Sequence, residues 1–204
     1  HISDKLPLEA VAPLLCAGIT TYSPLRHWKV GKGTRVGILG LGGLGHMAVK
    51  LAAAMGAEVT MLSHTASKEA DAKRLGAQKF VLTSSEEQVK GVTGYFDFIL
   101  DTVSADHDYN FYLGLLRASG TMVCVGLPST PAQIPMFNLV FGRKSIAGSL
   151  IGGLPETQEM LDFCAEHNIV SDIEIIAMKD INTAYERLEK SDVKYRFVID
   201  MATL

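Results

Sequence analysis

Residues 40–45 read Gly40-Leu41-Gly42-Gly43-Leu44-Gly45, four glycines in six positions. In a turn from strand to helix each has a separate use. Gly40 permits the tight bend, Gly42 lets backbone approach a pyrophosphate, and Gly45 lets the following helix pack closely on the strand. Unbonded N–H groups at a helix start, with the helix dipole behind them, favour a linked pair of phosphates. Leu41, Gly43 and Leu44 contribute amides to the same cradle. The turn follows the apolar run Arg35–Leu39 and opens the clearest helical pattern in the chain. That context is what separates a dinucleotide site from a glycine-rich turn with no ligand.

The next strand end discriminates between dinucleotides. An NAD site usually places Asp or Glu about 20 residues past the glycines, on the ribose hydroxyls. Here the run Glu58–Leu62 ends in Ser63-His64-Thr65, with Lys68 close by and no carboxylate between them. Hydroxyls and a lysine accept a 2′-phosphate that a carboxylate repels, so the expectation is NADP(H). The plain alternative for Lys68 is a solvated residue in a helix's first turn. Thr102-Val103, after Asp101, and Val125-Gly126 close two further strands, at the carboxyl ends where ligands of such sheets lie. Asp101 reads equally as a contact to the cofactor or as a turn or helix-capping residue. His46, at the helix start, is expected to face either the pyrophosphate or solvent.

Positioning these residues takes a particular set of elements. Short apolar runs at Arg35–Leu39, Glu58–Leu62, Lys79–Leu82, Phe96–Asp101, Thr121–Val125 and Ser145–Ser149 predict strands buried on both faces. Between them Leu44, Met47, Ala48, Leu51, Ala52 and Met55 form an apolar stripe stopped by Gly56. Weaker helices read at Lys68–Leu75, Ser85–Lys90 and His107–Arg117. The alternation predicts an α/β fold, a doubly wound, parallel, six-stranded Rossmann sheet. Outside that unit lie a helical stretch at Leu8–Tyr22, a helix at Pro155–His167, and a tail of strand (Ile173–Ala177), helix (Ile181–Lys190) and strand (Tyr195–Asp200). Such a tail needs a sheet to join.

Composition narrows the class. With 48% apolar and 20% charged residues a sizeable core is available and disorder is excluded. A net charge of −3 without a basic run argues against a nucleic-acid partner. No stretch approaches the ~20 apolar residues of a membrane helix, and no secretory signal is visible. Cys16, Cys124 and Cys164 are odd in number and widely spaced, as reduced thiols of a cytoplasmic protein are. The chain opens at His1 with no initiator methionine, which reads as a fragment or a processed start.

Leu15-Cys16-Ala17-Gly18-Ile19-Thr20-Thr21-Tyr22, Gly40–His46, Phe141–Gly153, Thr157–Ile169 and Lys194–Asp200 together resemble the cinnamyl alcohol dehydrogenase branch of the zinc-dependent medium-chain dehydrogenases. The likeness covers essentially the whole chain. It implies reversible reduction of aldehydes to primary alcohols, mostly with NADPH, while a catalytic zinc polarises the carbonyl oxygen. It further implies that Cys16 is the last catalytic zinc ligand and that Thr20 approaches the cofactor. Ser63, His64 and Lys68 would hold the 2′-phosphate, and Ser149, Leu150 and Ile151 would lie beside the nicotinamide. The final segment, with Arg196, would return to the catalytic domain. The family also has an N-terminal catalytic domain carrying the remaining zinc ligands, and a structural zinc on four cysteines; neither is among these residues. A catalytic zinc needs three protein ligands, and Cys16 has no partner nearby in sequence.

The chain is therefore expected to be the C-terminal, cofactor-binding part of such an enzyme. Residues 1–30 would be a remnant of the catalytic domain, 31–170 the NADP-binding domain, and 171–204 the return segment. The alternative is a dinucleotide-binding module with no catalytic activity of its own. A short-chain reductase needs Tyr and Lys four apart, which none of the six tyrosines offers. A methyltransferase explains neither the Cys16–Tyr22 motif nor the tail. An apolar edge at Ser145–Ser149 invites a second copy, so a homodimer is expected, unless the chain's own tail covers that edge.

Overall fold

The computed structural model describes residues 1–204. In chain order the elements are α1 (Leu8–Val11), α2 (Ala17–His27), β1 (Arg35–Leu39), α3 (Gly45–Ala54), β2 (Glu58–Ser63), α4 (Glu69–Leu75), β3 (Lys79–Leu82), α5 (Glu86–Lys90), β4 (Phe96–Asp101), α6 (Tyr109–Leu115) and β5 (Leu116–Cys124), followed by α7 (Phe137–Val140), β6 (Ser145–Gly148), α8 (Leu154–His167), β7 (Ile173–Ala177), α9 (Ile181–Glu189) and β8 (Arg196–Asp200).

The apolar runs become strands because their residues find helices on both sides. Strands β1 to β6 make one parallel sheet in the order β3-β2-β1-β4-β5-β6, the doubly wound Rossmann arrangement expected from the sequence. In β1, β2 and β4 all residues but Arg35, Glu58 and Asp97 are buried, as continuous apolar strands between two layers should be. The chain order reverses between β1 and β4, and a crevice of such sheets opens there, beyond the carboxyl ends of the strands.

Helix α3 is buried more completely than a surface helix with one apolar stripe. Met47, Ala48, Val49, Leu51 and Ala52 are all fully enclosed, because α3 lies between the sheet and α2, which also packs on α8. Gly56 and Gly76 follow α3 and α4 with φ of 84° and 117°, the stops that the sequence suggests.

Four elements depart from the sequence expectation. The stretch Leu8–Tyr22 is two helices separated by a 3-10 turn at Ala12–Leu15; Pro13 removes an amide donor there and Cys16, at φ −126° and ψ −71°, is not helical. Strand β5 begins at Leu116 and not at Thr121. Arg117, expected to end a helix, and residues 118–120 instead lie in the strand as an irregularity between the partners of Phe96 and Phe98. Helix α6 ends accordingly at Leu115, short of Arg117, and it starts only after Asp108, whose carboxylate accepts from the Asn110 N–H at 2.9 Å. The tail joins no part of the large sheet. Strands β7 and β8 pair with each other, in parallel, as a separate two-stranded sheet.

Candidate functional site

The glycine turn links β1 to α3 with the tight geometry its composition suggests. Gly40 has φ +89°, and a Cβ there would lie 2.6 Å from Val103 Cγ2. At Gly45 a Cβ would lie only 1.8 Å from the carbonyl oxygen of Gly40, so helix and turn meet as closely as backbone allows. Gly42 has open space in front of it, with nothing within 4 Å. None of the N–H groups of Leu41, Gly42, Gly43, Leu44 and Gly45 donates within the protein, and no side chain caps α3. Five consecutive amides are thus available to an outside acceptor at the positive end of a helix dipole.

Opposite them stands the start of β8. A Cβ on Gly43 would come within 2.5 Å of Arg196 Nε and 2.6 Å of its Cζ, so the guanidinium rests directly on the glycine backbone. Arg196 Nε is buried and has no hydrogen-bond partner. A buried donor left unpaired costs about 1–3 kcal/mol, a cost an anion in the crevice removes. Lys68 Nζ donates to Leu41 O at 3.1 Å, placing a second cation at the edge of the turn. These groups line a cavity of about 590 Å³, within the range of roughly 300–1,000 Å³ usual for ligand sites. Tyr195, Lys194 and Asp71 complete its rim. Burial alone would raise the Asp71 carboxyl, but hydrogen bonds from Lys194, Tyr195 and Arg74 outweigh it and hold the group well below the ordinary range.

The other strand ends form the floor. Thr102 Oγ1 donates to Leu39 O at 2.8 Å, tying β4 to β1. A Cβ on Gly126 would lie 2.1 Å from Val103 O, and the Val125 N–H donates to Asp101 O at 2.9 Å, so the β5 end closes tightly on the β4 end. Of its two readings, Asp101 is the turn residue. It is wholly buried, accepts from the Val103 N–H at 3.0 Å and pairs with His107 Nε2 at 3.0 Å. Burial raises its carboxyl above the ordinary value. At the end of β2, Ser63 is buried and its Oγ accepts from the Thr65 N–H at 3.1 Å, which shapes the turn. His64 is exposed there, and Lys68 is half-buried.

His46 corrects one expectation outright: it does not face solvent. It is fully buried, with Nδ1 3.1 Å from Gly42 O and Nε2 3.0 Å from Ser171 Oγ. Burial pushes its ring down to about 4, so it is neutral at pH 7. Sequence reasoning missed Tyr195, Lys194 and Asp71 as well. The adjacency of Tyr195 to Arg196 was the one available signal.

Beyond the floor, Ser149, Leu150 and Ile151 extend from β6, with the Ser149 N–H donating to Cys124 O at 3.1 Å and Leu150 80% exposed. A Cβ on Gly152 would touch Ile19 at 2.7 Å, so this loop meets α2 beside Thr20, one helical turn after Cys16. Cys16 is exposed, and no group of three His, Cys, Asp or Glu side chains capable of holding a metal occurs. One thiolate does not meet the ligand count of a zinc site, and these residues by themselves do not fit the ion. Burial pushes the thiols of Cys124 and Cys164 up to about 12, so both are inert packing groups. An anion with several oxygens, in contrast, fits the amides and Arg196 well.

Comparison with known proteins agrees with this geometry. Residues 43–166 match the family described as zinc-binding dehydrogenase. The chain is 59% identical over all 204 residues to NADP-dependent alcohol dehydrogenase C 1 of Mycolicibacterium smegmatis, covering 58% of that protein. It is 57% identical over 198 residues to aldehyde reductase YahK of Escherichia coli, covering 97% of this chain and 57% of that one. A cinnamyl alcohol dehydrogenase from Sorghum bicolor superposes with a TM-score of 0.96 at 47% identity, over 99% of this chain and 58% of the other. CAD from Helicobacter pylori, complexed with NADP(H), superposes at 0.89 and 46% identity, over 98% and 57%. The chain thus spans somewhat more than half the length of the curated relatives it matches. By the match of its central residues, and by likeness along its whole length, the chain belongs to the zinc-binding dehydrogenase family.

Proposed function

We propose that these residues are the NADP(H)-binding part of an oxidoreductase that interconverts primary alcohols and aldehydes by hydride transfer. One observation carries the reading: the amides from Leu41 to Gly45 are unbonded, and Leu41 to Leu44 line one crevice with Arg196, whose unpartnered Nε lies against Gly43. Linked phosphates supply the acceptors and negative charge that this arrangement lacks. The names of the relatives, NADP-dependent alcohol dehydrogenase and aldehyde reductase, support the cofactor and the reaction class.

When bound, NADP(H) supplies or accepts the hydride. The chain's own part is to hold and orient it. Leu41 to Gly45 and Arg196 take the pyrophosphate, while Lys68 and His64 take the 2′-phosphate on a turn shaped by Ser63. Thr102, Val103, Val125 and Gly126 form the floor. Ser149, Leu150 and Ile151, with Thr20, flank the end of the crevice nearest Cys16. A zinc ion on Cys16 would need its other ligands from outside these residues and would there supply a Lewis acid for the carbonyl oxygen. Within this reading residues 1–30 and 171–204 belong to a catalytic domain and 31–170 to the cofactor domain. A second reading, a dinucleotide-binding module without turnover, is favoured by the lack of a three-ligand metal cluster.

Titration with NADPH, followed by the nicotinamide's fluorescence, tests the common part of both readings, and absence of binding at millimolar NADPH overturns it. Zinc content and oxidation of NADPH by an aldehyde separate the two. A homodimer through the β6 edge is part of the proposal, supported by Val140, Phe141 and Leu150, exposed by 72–80% beside that edge. A cytoplasmic setting is supported by the three free thiols. No helix is long and apolar enough to cross a membrane.

A further inference from the structure

His46 stands directly after the glycine turn, and the phosphate reading makes no use of its ring. The ring nevertheless touches both walls of the crevice. Its Nδ1 lies 3.1 Å from Gly42 O, which also accepts from the His46 backbone N–H at 3.0 Å. A carbonyl oxygen only accepts, so Nδ1 carries the hydrogen. Nε2 is then the acceptor, and both of its neighbours are suited to donate: Ser171 Oγ at 3.0 Å and the Asp172 N–H at 3.4 Å. The doubly bonded Gly42 carbonyl is pinned toward α3. In a planar trans peptide the next N–H points the opposite way, so pinning Gly42 O turns the Gly43 amide outward, toward the guanidinium of Arg196.

The face of the ring serves the other wall. Tyr195 stacks on His46 with centroids 4.8 Å apart and planes inclined by 18°. Its hydroxyl donates to Asp71 Oδ2 at 2.6 Å and its N–H to Asp172 O at 3.0 Å. Three contacts therefore fix the residue preceding Arg196, and His46 provides the broadest of them. The edge of one imidazole aims an amide, and its face seats the residue that carries the cation.

We propose that His46 is a positioning residue for phosphate binding, one that registers the amide cradle and the Arg196 guanidinium against each other across a single anion. The proposal rests on the dinucleotide reading above and adds to it a residue that does not touch the ligand. Two ligands distinguish this role from general support of the fold: NADPH, and adenosine 2′-monophosphate, which has no 5′-phosphates. His46→Phe keeps a ring for stacking and removes both nitrogens. Tyr195→Leu removes the stack and leaves the nitrogens. Each is expected to raise the Kd for NADPH about five- to tenfold, the loss of roughly one hydrogen bond's worth of alignment, with binding of adenosine 2′-monophosphate unchanged. Arg196→Gln is the control. If Arg196→Gln weakens NADPH binding and both positioning variants bind it normally, the role of His46 is overturned and the dinucleotide reading stands. If both ligands weaken equally in the variants, His46 merely supports the fold and the proposal is again overturned. If Arg196→Gln has no effect, or the unmodified protein does not bind NADPH, the reading beneath it falls. Where His46→Phe does not fold by circular dichroism, Ser171→Ala takes its place, with about a threefold effect expected on NADPH alone.

Discussion

Two alanine substitutions three residues apart should fail in different ways. At Gly45 a Cβ would stand 1.8 Å from Gly40 O, where ordinary contact begins near 3.4 Å, so the gap must open by about 1.6 Å. Neither partner is a flexible side chain. The obstacle is backbone, and α3 cannot retreat because Met47, Ala48 and Val49 are fully enclosed behind it. Overpacking of this kind costs about 1–3 kcal/mol and occasionally more. Taking about 3 kcal/mol, and about 2–4 °C per kcal/mol for a chain of this size, Gly45→Ala should melt about 6–12 °C lower. Gly42 has nothing within 4 Å, so Gly42→Ala should stay within about 0.5 kcal/mol of the unmodified protein. Its methyl group, however, occupies the space through which phosphates reach the amides. Loss of one charge-assisted hydrogen bond, about 1.5–3 kcal/mol, weakens NADPH binding about 10- to 100-fold. Thermal melts without nucleotide and fluorescence titration with NADPH read the two effects separately. A Gly42→Ala protein that binds NADPH normally, or melts as low as Gly45→Ala, would refute the assignment of open space to ligand and closed space to fold.

NADPH should bind about tenfold more tightly than NADH, and Lys68→Ala should bring the two close to parity by weakening NADPH alone; equal effects on both nucleotides would contradict a 2′-phosphate contact. Because burial lowers the His46 ring from 6.5 to about 4, the unfolded chain binds a proton below pH 6.5 that the folded chain refuses. Its contribution is therefore complete above that pH and lost as the pH falls toward 4, by on the order of 3 kcal/mol; urea unfolding at pH 7.5 and 5 should show the decline, and His46→Asn should flatten it. Light scattering at micromolar concentration should show a dimer that Val140→Asp converts to a monomer with its melting point little changed, since Val140 is 77% exposed in the single chain; a monomeric unmodified protein would sink the dimer.

The six-stranded sheet was legible because its strands are short apolar runs whose partners are neighbours in the pattern, and Arg35–Leu39, Lys79–Leu82 and Phe96–Asp101 have the bounds expected. The glycine turn was legible for the same local reason: strand, turn and helix stand side by side in the chain. Local reasoning failed where a distant contact decides. Residues 117–120 have no partner in β4 and still belong to β5, because the pairs Phe96–Leu116 and Phe98–Thr121 hold the strand on both sides of them. His46 is polar at a helix start, and only Ser171 and Tyr195, more than 120 residues away, turn it inward. The same distance hid Lys194 and Asp71 at the rim of the crevice. Arg196 was named through family likeness, whereas its place on Gly43 is a fact of packing that no spacing encodes.

The separate pairing of β7 with β8 has a consequence for how a nucleotide leaves. No residue of either strand is buried, while four of five in β1 are, so the small sheet opens at a much lower free energy than the large one. Backbone amides of β8 should exchange with deuterium well before those of β1. The wall that carries Arg196 is thus expected to loosen before the glycine wall does, so that a bound nucleotide is released from the β8 side while the large sheet and its helices stay closed.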